Sequence, residues 1–73
     1  MRRCDVCHQC ILEREARATN RQLATITRDQ PDFYDDLKAG LQLDEVYALC
    51  QRCCDNAIAL TSEVRRELAD AYA

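Results

Sequence analysis

Two cysteine pairs, each with two residues between its members, constrain this chain more than any other feature. The first is Cys4-Asp5-Val6-Cys7, which runs on through His8 and Gln9 to Cys10; the second is Cys50-Gln51-Arg52-Cys53, followed at once by Cys54. Two intervening residues let both sulfurs of a pair face one ion, from a tight turn or from one turn of helix, at Zn–S distances of about 2.3 Å. Two such pairs complete a tetrahedron. Most of the chain lies between them, so a shared ion would close it into one loop and play a structural part.

The size of the chain gives such a staple a purpose. At 73 residues there is room for one domain, residues 1–73. A core of this size supplies roughly 3 to 5 kcal/mol, so a metal, a disulfide or a partner is needed. No apolar run resembles a signal-peptide core or a membrane span, and the chain is expected to be soluble and cytoplasmic. Thiols stay reduced there, which favours metal binding over a disulfide framework.

The expected ligands are Cys4, Cys7, Cys50 and Cys53, holding one Zn2+. Other selections stay open, because Cys7 and Cys10 are also two residues apart and His8 can replace a thiolate. Cys54 falls on an apolar stripe and reads as a small core residue, with Cys10 buried in the same way beside the first helix. His8 is expected to face solvent or to lie beside the site. Cys4, Cys7 and Cys10 with one remote cysteine would suit an iron-sulfur cluster. Cys4-x-x-Cys7-His8 also satisfies the haem-attachment pattern, but Met1 is the sole methionine and the usual second axial ligand is missing. A thioredoxin-like use would require a strand-helix context that this sequence does not offer.

The rest of the chain reads as helix. Leu12, Ala16, Thr19, Leu23 and Ile26 recur at steps of four and three, the stripe of an amphipathic helix from about Ile11 to Arg28. Pro31 ends it. Asp32 is placed to cap a short second helix carrying Phe33, Leu37 and Leu41, and Gly40 sits where that helix should stop. From Leu43 onward, Tyr47, Cys50, Cys54, Ala57, Thr61, Val64, Leu68 and Ala71 continue the four-three rhythm, which predicts one long helix capped by Asp44. The rival arrangement makes Glu45 to Leu49 a short strand, turns at the cysteines and starts the helix near Cys53. The fold class is therefore all-α: two or three helices with an N-terminal zinc knuckle and room for a short hairpin near the cysteines.

Charge is segregated within a net of -3. Residues 1–28 hold Arg2, Arg3, Arg14, Arg17, Arg21 and Arg28 against three acids, whereas residues 29–45 hold Asp29, Asp32, Asp35, Asp36, Asp44 and Glu45 against Lys38. An acidic total argues against a general nucleic-acid binder. No catalytic set is present. His8, the only histidine, lies inside a knuckle, which does not suit a nuclease of the HNH kind, and Tyr34, Tyr47 and Tyr72 read as packing or interface residues.

Tyr47-Ala48-Leu49-Cys50-Gln51-Arg52-Cys53-Cys54, running into a helix after an early CxxC, resembles four-cysteine zinc modules. The chain is similar in this respect to the zinc-binding domain of the ClpX chaperone and to the DksA and TraR regulators of RNA polymerase. In those families an aromatic or apolar residue precedes the second pair, whose last cysteine leads into a helix; Tyr47, Leu49, Cys50 and Cys53 fit that pattern. The interval between the pairs is longer here and helical where those modules have a hairpin. The resemblance implies a compact zinc protein that docks on a large machine. With its size and arginine-rich, lysine-poor make-up, the chain looks like a phage or plasmid product acting on bacterial RNA polymerase. Direct nucleic-acid binding through the first helix, or an iron-sulfur carrier or sensor, are the alternatives.

Overall fold

The computed structural model describes residues 1–72; the Tyr72 side chain and Ala73 lie outside the described residues, and with them the reading of Tyr72 as a packing residue. The described elements are β1 (Arg2–Arg3), β2 (Cys10–Ile11), α1 (Glu13–Asp29), α2 (Phe33–Leu41) and α3 (Gln51–Tyr72). The three helices pack on one another, and β1 pairs antiparallel with β2, Arg2 opposite Ile11 and Arg3 opposite Cys10. No described helix is long and apolar enough to cross a membrane.

The expected stripe of α1 is buried at Ala16, Thr19 and Leu23, with Ile26 packed against the core. Leu12 departs from it. It occupies the N-cap in extended conformation and is half exposed, and Ile11 of β2 fills the core in its place. Pro31 follows α1 as expected. Asp32 does stand at the N-cap of α2, but its side chain makes no capping hydrogen bond.

Gly40 does not end α2. The helix runs through Leu41, and Gln42 takes the left-handed position at φ 58°. Its N–H donates to the Ala39 carbonyl at 3.1 Å while the Leu43 N–H donates to the Lys38 carbonyl at 3.0 Å. These are the two closing bonds of a Schellman motif, usually built on glycine.

The largest correction concerns the last helix. Its four-three rhythm begins at Leu43, yet residues 43–50 are not helical, Asp44 caps nothing and α3 begins at Gln51. Nor do residues 45–49 form a strand. They run across α1 and α2 as a strap whose backbone is held by side chains, and the hydrogen bonds that a helix would have supplied internally come from elsewhere in the molecule.

Twelve hydrophobic residues are buried among those described: Cys4, Cys50 and Cys54, Ala16, Ala48 and Ala57, and the larger Ile11, Leu23, Phe33, Leu37, Val46 and Leu49. Half of this core is cysteine or alanine. So few large side chains bury little apolar surface, and the helices meet around thiols where a bigger protein would place leucines.

Candidate metal centre

The first cysteine pair sits in the turn between β1 and β2. The Cys4 N–H donates to the Gln9 carbonyl at 2.9 Å and the His8 N–H to the Cys4 carbonyl at 2.9 Å, which folds Cys4 through His8 into a tight loop. Closing that loop requires a left-handed residue, and His8 supplies it at φ 65°. Histidine is one of the few non-glycine residues enriched in this conformation. His8 thus serves the knuckle through its backbone, with its side chain exposed.

The second pair sits at the start of α3. The Cys50 carbonyl accepts the first helical bond from the Cys54 N–H at 2.9 Å, and the Cys50 Sγ accepts the Cys53 N–H at 3.4 Å. Cys50 is therefore the helix cap as well as a member of the cluster. The Gln51 N–H is satisfied by Glu15 Oε2 of α1 at 3.1 Å. A thiolate here also faces the positive end of the helix dipole, which favours its negative charge.

Knuckle and helix start converge. The Sγ atoms of Cys4, Cys7, Cys50 and Cys53 all lie within 4.8 Å of one another, and those of Cys7 and Cys50 are 3.8 Å apart. A tetrahedron of thiolates about zinc at about 2.3 Å has edges of about 3.8 Å. A disulfide would bring two sulfurs to about 2.05 Å, and all six cysteines are free. The four converging sulfurs are the expected set, one of several that the spacing allows. Cys10 and His8 stand outside the group; Cys10 is exposed on β2, contrary to the expectation that it would be buried. Cys54 is buried, with its Sγ 4.0 Å from both the Thr19 carbonyl and Gln22 Oε1, in the core position expected of it.

The thiols are not equivalent. Burial opposes the Cys4 thiolate, but the backbone N–H groups of Cys50, Cys7 and Val6 and the Cys7 thiol outweigh it and bring Cys4 from 9.0 down to about 6. Cys53 moves the other way, to about 12, through burial, the hydrogen bonds with the Cys50, Cys4 and Cys7 sulfurs, and the charge on Cys4. Burial, with the charges of Asp55 and Cys50, raises Cys54 to about 11. One sulfur of the cluster is a ready anion and another keeps its proton until a cation displaces it, the usual course of assembly for a thiolate metal site.

The strap locks the two halves of the cluster together. Asp5, inside the first pair, accepts the Tyr47 N–H at 2.6 Å and the Ala48 N–H at 3.1 Å on Oδ2, and its own N–H donates to the Ala48 carbonyl at 2.9 Å. Thr19 donates to the Leu49 carbonyl at 2.8 Å, Asn20 to the Tyr47 carbonyl at 3.0 Å, and the Tyr34 hydroxyl bonds the Val46 backbone at 3.2 and 3.3 Å. Every strap residue from Val46 to Leu49 is tied in this way, and Cys50 follows directly.

Asp5 is the functional residue that sequence reading missed, since an acid between two cysteines carries no local sign of a partner more than forty positions away. Thr19 could have been found: a threonine on an otherwise apolar helical stripe needs a hydrogen-bond acceptor once buried. No protein-family model, curated protein or solved structure matches the chain, so the likeness to the DksA, TraR and ClpX modules rests on the cysteine pairs and their flanks alone.

Proposed function

We propose that this chain is a zinc-stapled, non-catalytic docking module, in which one Zn2+ held by Cys4, Cys7, Cys50 and Cys53 fixes the helices into a rigid surface for a protein partner. The observation that carries the reading is the match between the 3.8 Å separation of Cys7 and Cys50 and a tetrahedral edge. Thiolates that bind an iron-sulfur cluster are spread over several irons and stand farther apart, so the tight group favours a single ion. A donor set of four cysteines leaves no open coordination position, which is the mark of a structural zinc and not a catalytic one. The exposed Arg14, Arg17 and Arg21 of α1 and the exposed Asp32, Asp35 and Asp36 around the start of α2 offer charged surfaces for docking. The resemblance of the cysteine pairs extends the proposal to bacterial RNA polymerase as the machine and to a phage or plasmid setting.

Native intact mass with elemental analysis tests the first half: one zinc per chain is expected, and a metal-free, folded chain or a brown iron-containing one would end the reading. Capture from a bacterial lysate tests the second, with RNA polymerase subunits as the expected catch. A second reading, phosphate contact through α1, draws on the same arginines, which no ion pair engages among the described residues. It predicts nucleic-acid binding that weakens steeply with salt.

A further inference from the structure

The apolar stripe of α3 outruns its cover. Cys50, Cys54, Ala57 and Thr61 are buried under α1 and α2, but one and two turns later the same seam emerges as Val64, 53% exposed, and Leu68, 54% exposed, with Leu60 beside it at 61%. Together with Leu37, Leu41 and Gly40 of α2 these side chains line a groove of about 530 Å³. A methyl group built on Gly40 would meet nothing within 4 Å, so the α2 wall is open there to close approach. Scattered exposed leucines need no explanation, but a contiguous row between two helices has the form of a helix-binding groove.

Charge decides the occupant. At about 100° per residue, Glu67 and Glu63 lie along the border of the exposed row that faces away from α2, and both are exposed, while Asp70 falls farther round the helix beside Arg66. On the α2 side, Arg65 is taken up by Asp36, and Lys38 is paired with Asp35 at 3.8 Å and stacked over Tyr34. Arg66 points to the opposite face of the helix. The free border of the groove is thus acidic. A second copy would bring the same two glutamates against it, and the exposed row amounts to on the order of 300 Å², well short of the roughly 800 Å² per partner that a stable dimer buries. From this we infer that the α2–α3 groove receives an amphipathic helix of a partner protein whose apolar face is bordered by lysine or arginine. The inference rests on the docking reading above and gives that reading a surface.

The probe is a pair of synthetic helices of about 18 residues with the same leucine face, one bordered by lysine and the other by glutamate, titrated by fluorescence anisotropy into the zinc-loaded full chain. The lysine peptide should bind at least tenfold tighter than the glutamate peptide, Val64→Asp should weaken it about tenfold or more, and Glu63→Lys with Glu67→Lys should reverse the preference. Zinc content and circular dichroism accompany each variant, and Leu60→Asp replaces Val64→Asp if the latter does not fold. Equal binding of the two peptides, indifference to Val64→Asp, or a wild-type dimer that Val64→Asp makes monomeric would each overturn the inference. Lysate capture separates its failure from that of the docking reading. If wild type and Val64→Asp retain the same protein equally, the groove falls and docking stands; if wild type retains nothing while the peptides behave as expected, docking falls and the groove stands.

Discussion

The two ends of α3 are built on opposite principles. At its start, side chains drawn from distant parts of the sequence hold the backbone of the adjoining strap at Val46, Tyr47, Ala48 and Leu49, and four sulfurs come together beside it. At its far end three large apolar side chains stand open to water beside a neutral ion pair and two glutamates. The first region is over-determined and the second under-used. The contrast teaches where each kind of work is done: the cysteine end holds the shape, and the other end is free to meet something else.

Removing the proposed zinc should break this contrast most completely. Structural zinc contributes apparent free energies of about 10 to 16 kcal/mol in small domains, far more than this core can replace. Chelation, or Cys50→Ala, which removes a ligand and a cap together, should abolish cooperative melting and most of the helical circular dichroism. Acid should add to the loss. In the metal-free chain the Cys4 thiolate contributes stability fully present above its ordinary 9.0 and lost as the pH falls through about 6, so the helical circular dichroism that the chelated chain retains should fall across that window.

Next in size is Asp5→Ala. It strips the acceptor from two strap N–H groups, and bonds to a charged partner are worth about 1.5 to 3 kcal/mol each before relaxation. A loss of about 3 kcal/mol in denaturant unfolding is expected, with zinc stoichiometry intact at saturating metal; an unchanged midpoint would show that the strap does not depend on this clamp. A smaller effect, of opposite sign, belongs to the α2 cap. Gln42→Gly relieves a left-handed side chain and should raise stability by about 1 kcal/mol. The smallest comes from Cys10→Ser, which should shift neither zinc content nor stability beyond about 0.5 kcal/mol, as befits an exposed residue outside the cluster.

Those parts of the molecule set by local pattern could be read in advance, and those set by distant partners could not. The spacing within each cysteine pair narrows the candidates to a few sets, with Cys10 and His8 left open, and the stripe Ala16, Thr19, Leu23 and Ile26 marks the inner face of α1. Leu43 and Tyr47 keep the same helical rhythm, yet they lie outside α3. Asp5, Thr19, Asn20 and Tyr34 claim the backbone of the strap, and Cys50 must turn its sulfur toward Cys4 and Cys7. None of these claims is visible within a window of neighbouring residues. The same holds for His8 and Gln42, which fill left-handed positions that glycine would have advertised.

The placement of the sulfurs also sets how the molecule would answer a mechanical pull. With zinc bound as proposed, tension applied between Arg2 and the far part of α3 would pass through the coordinate bonds and bypass α1, α2 and the strap, because Cys7 and Cys50, 43 positions apart in sequence, meet at one point. Stretched in a single-molecule trap, the loaded chain should lengthen little until the clasp ruptures. It should then release on the order of 150 Å of hidden contour in a single step.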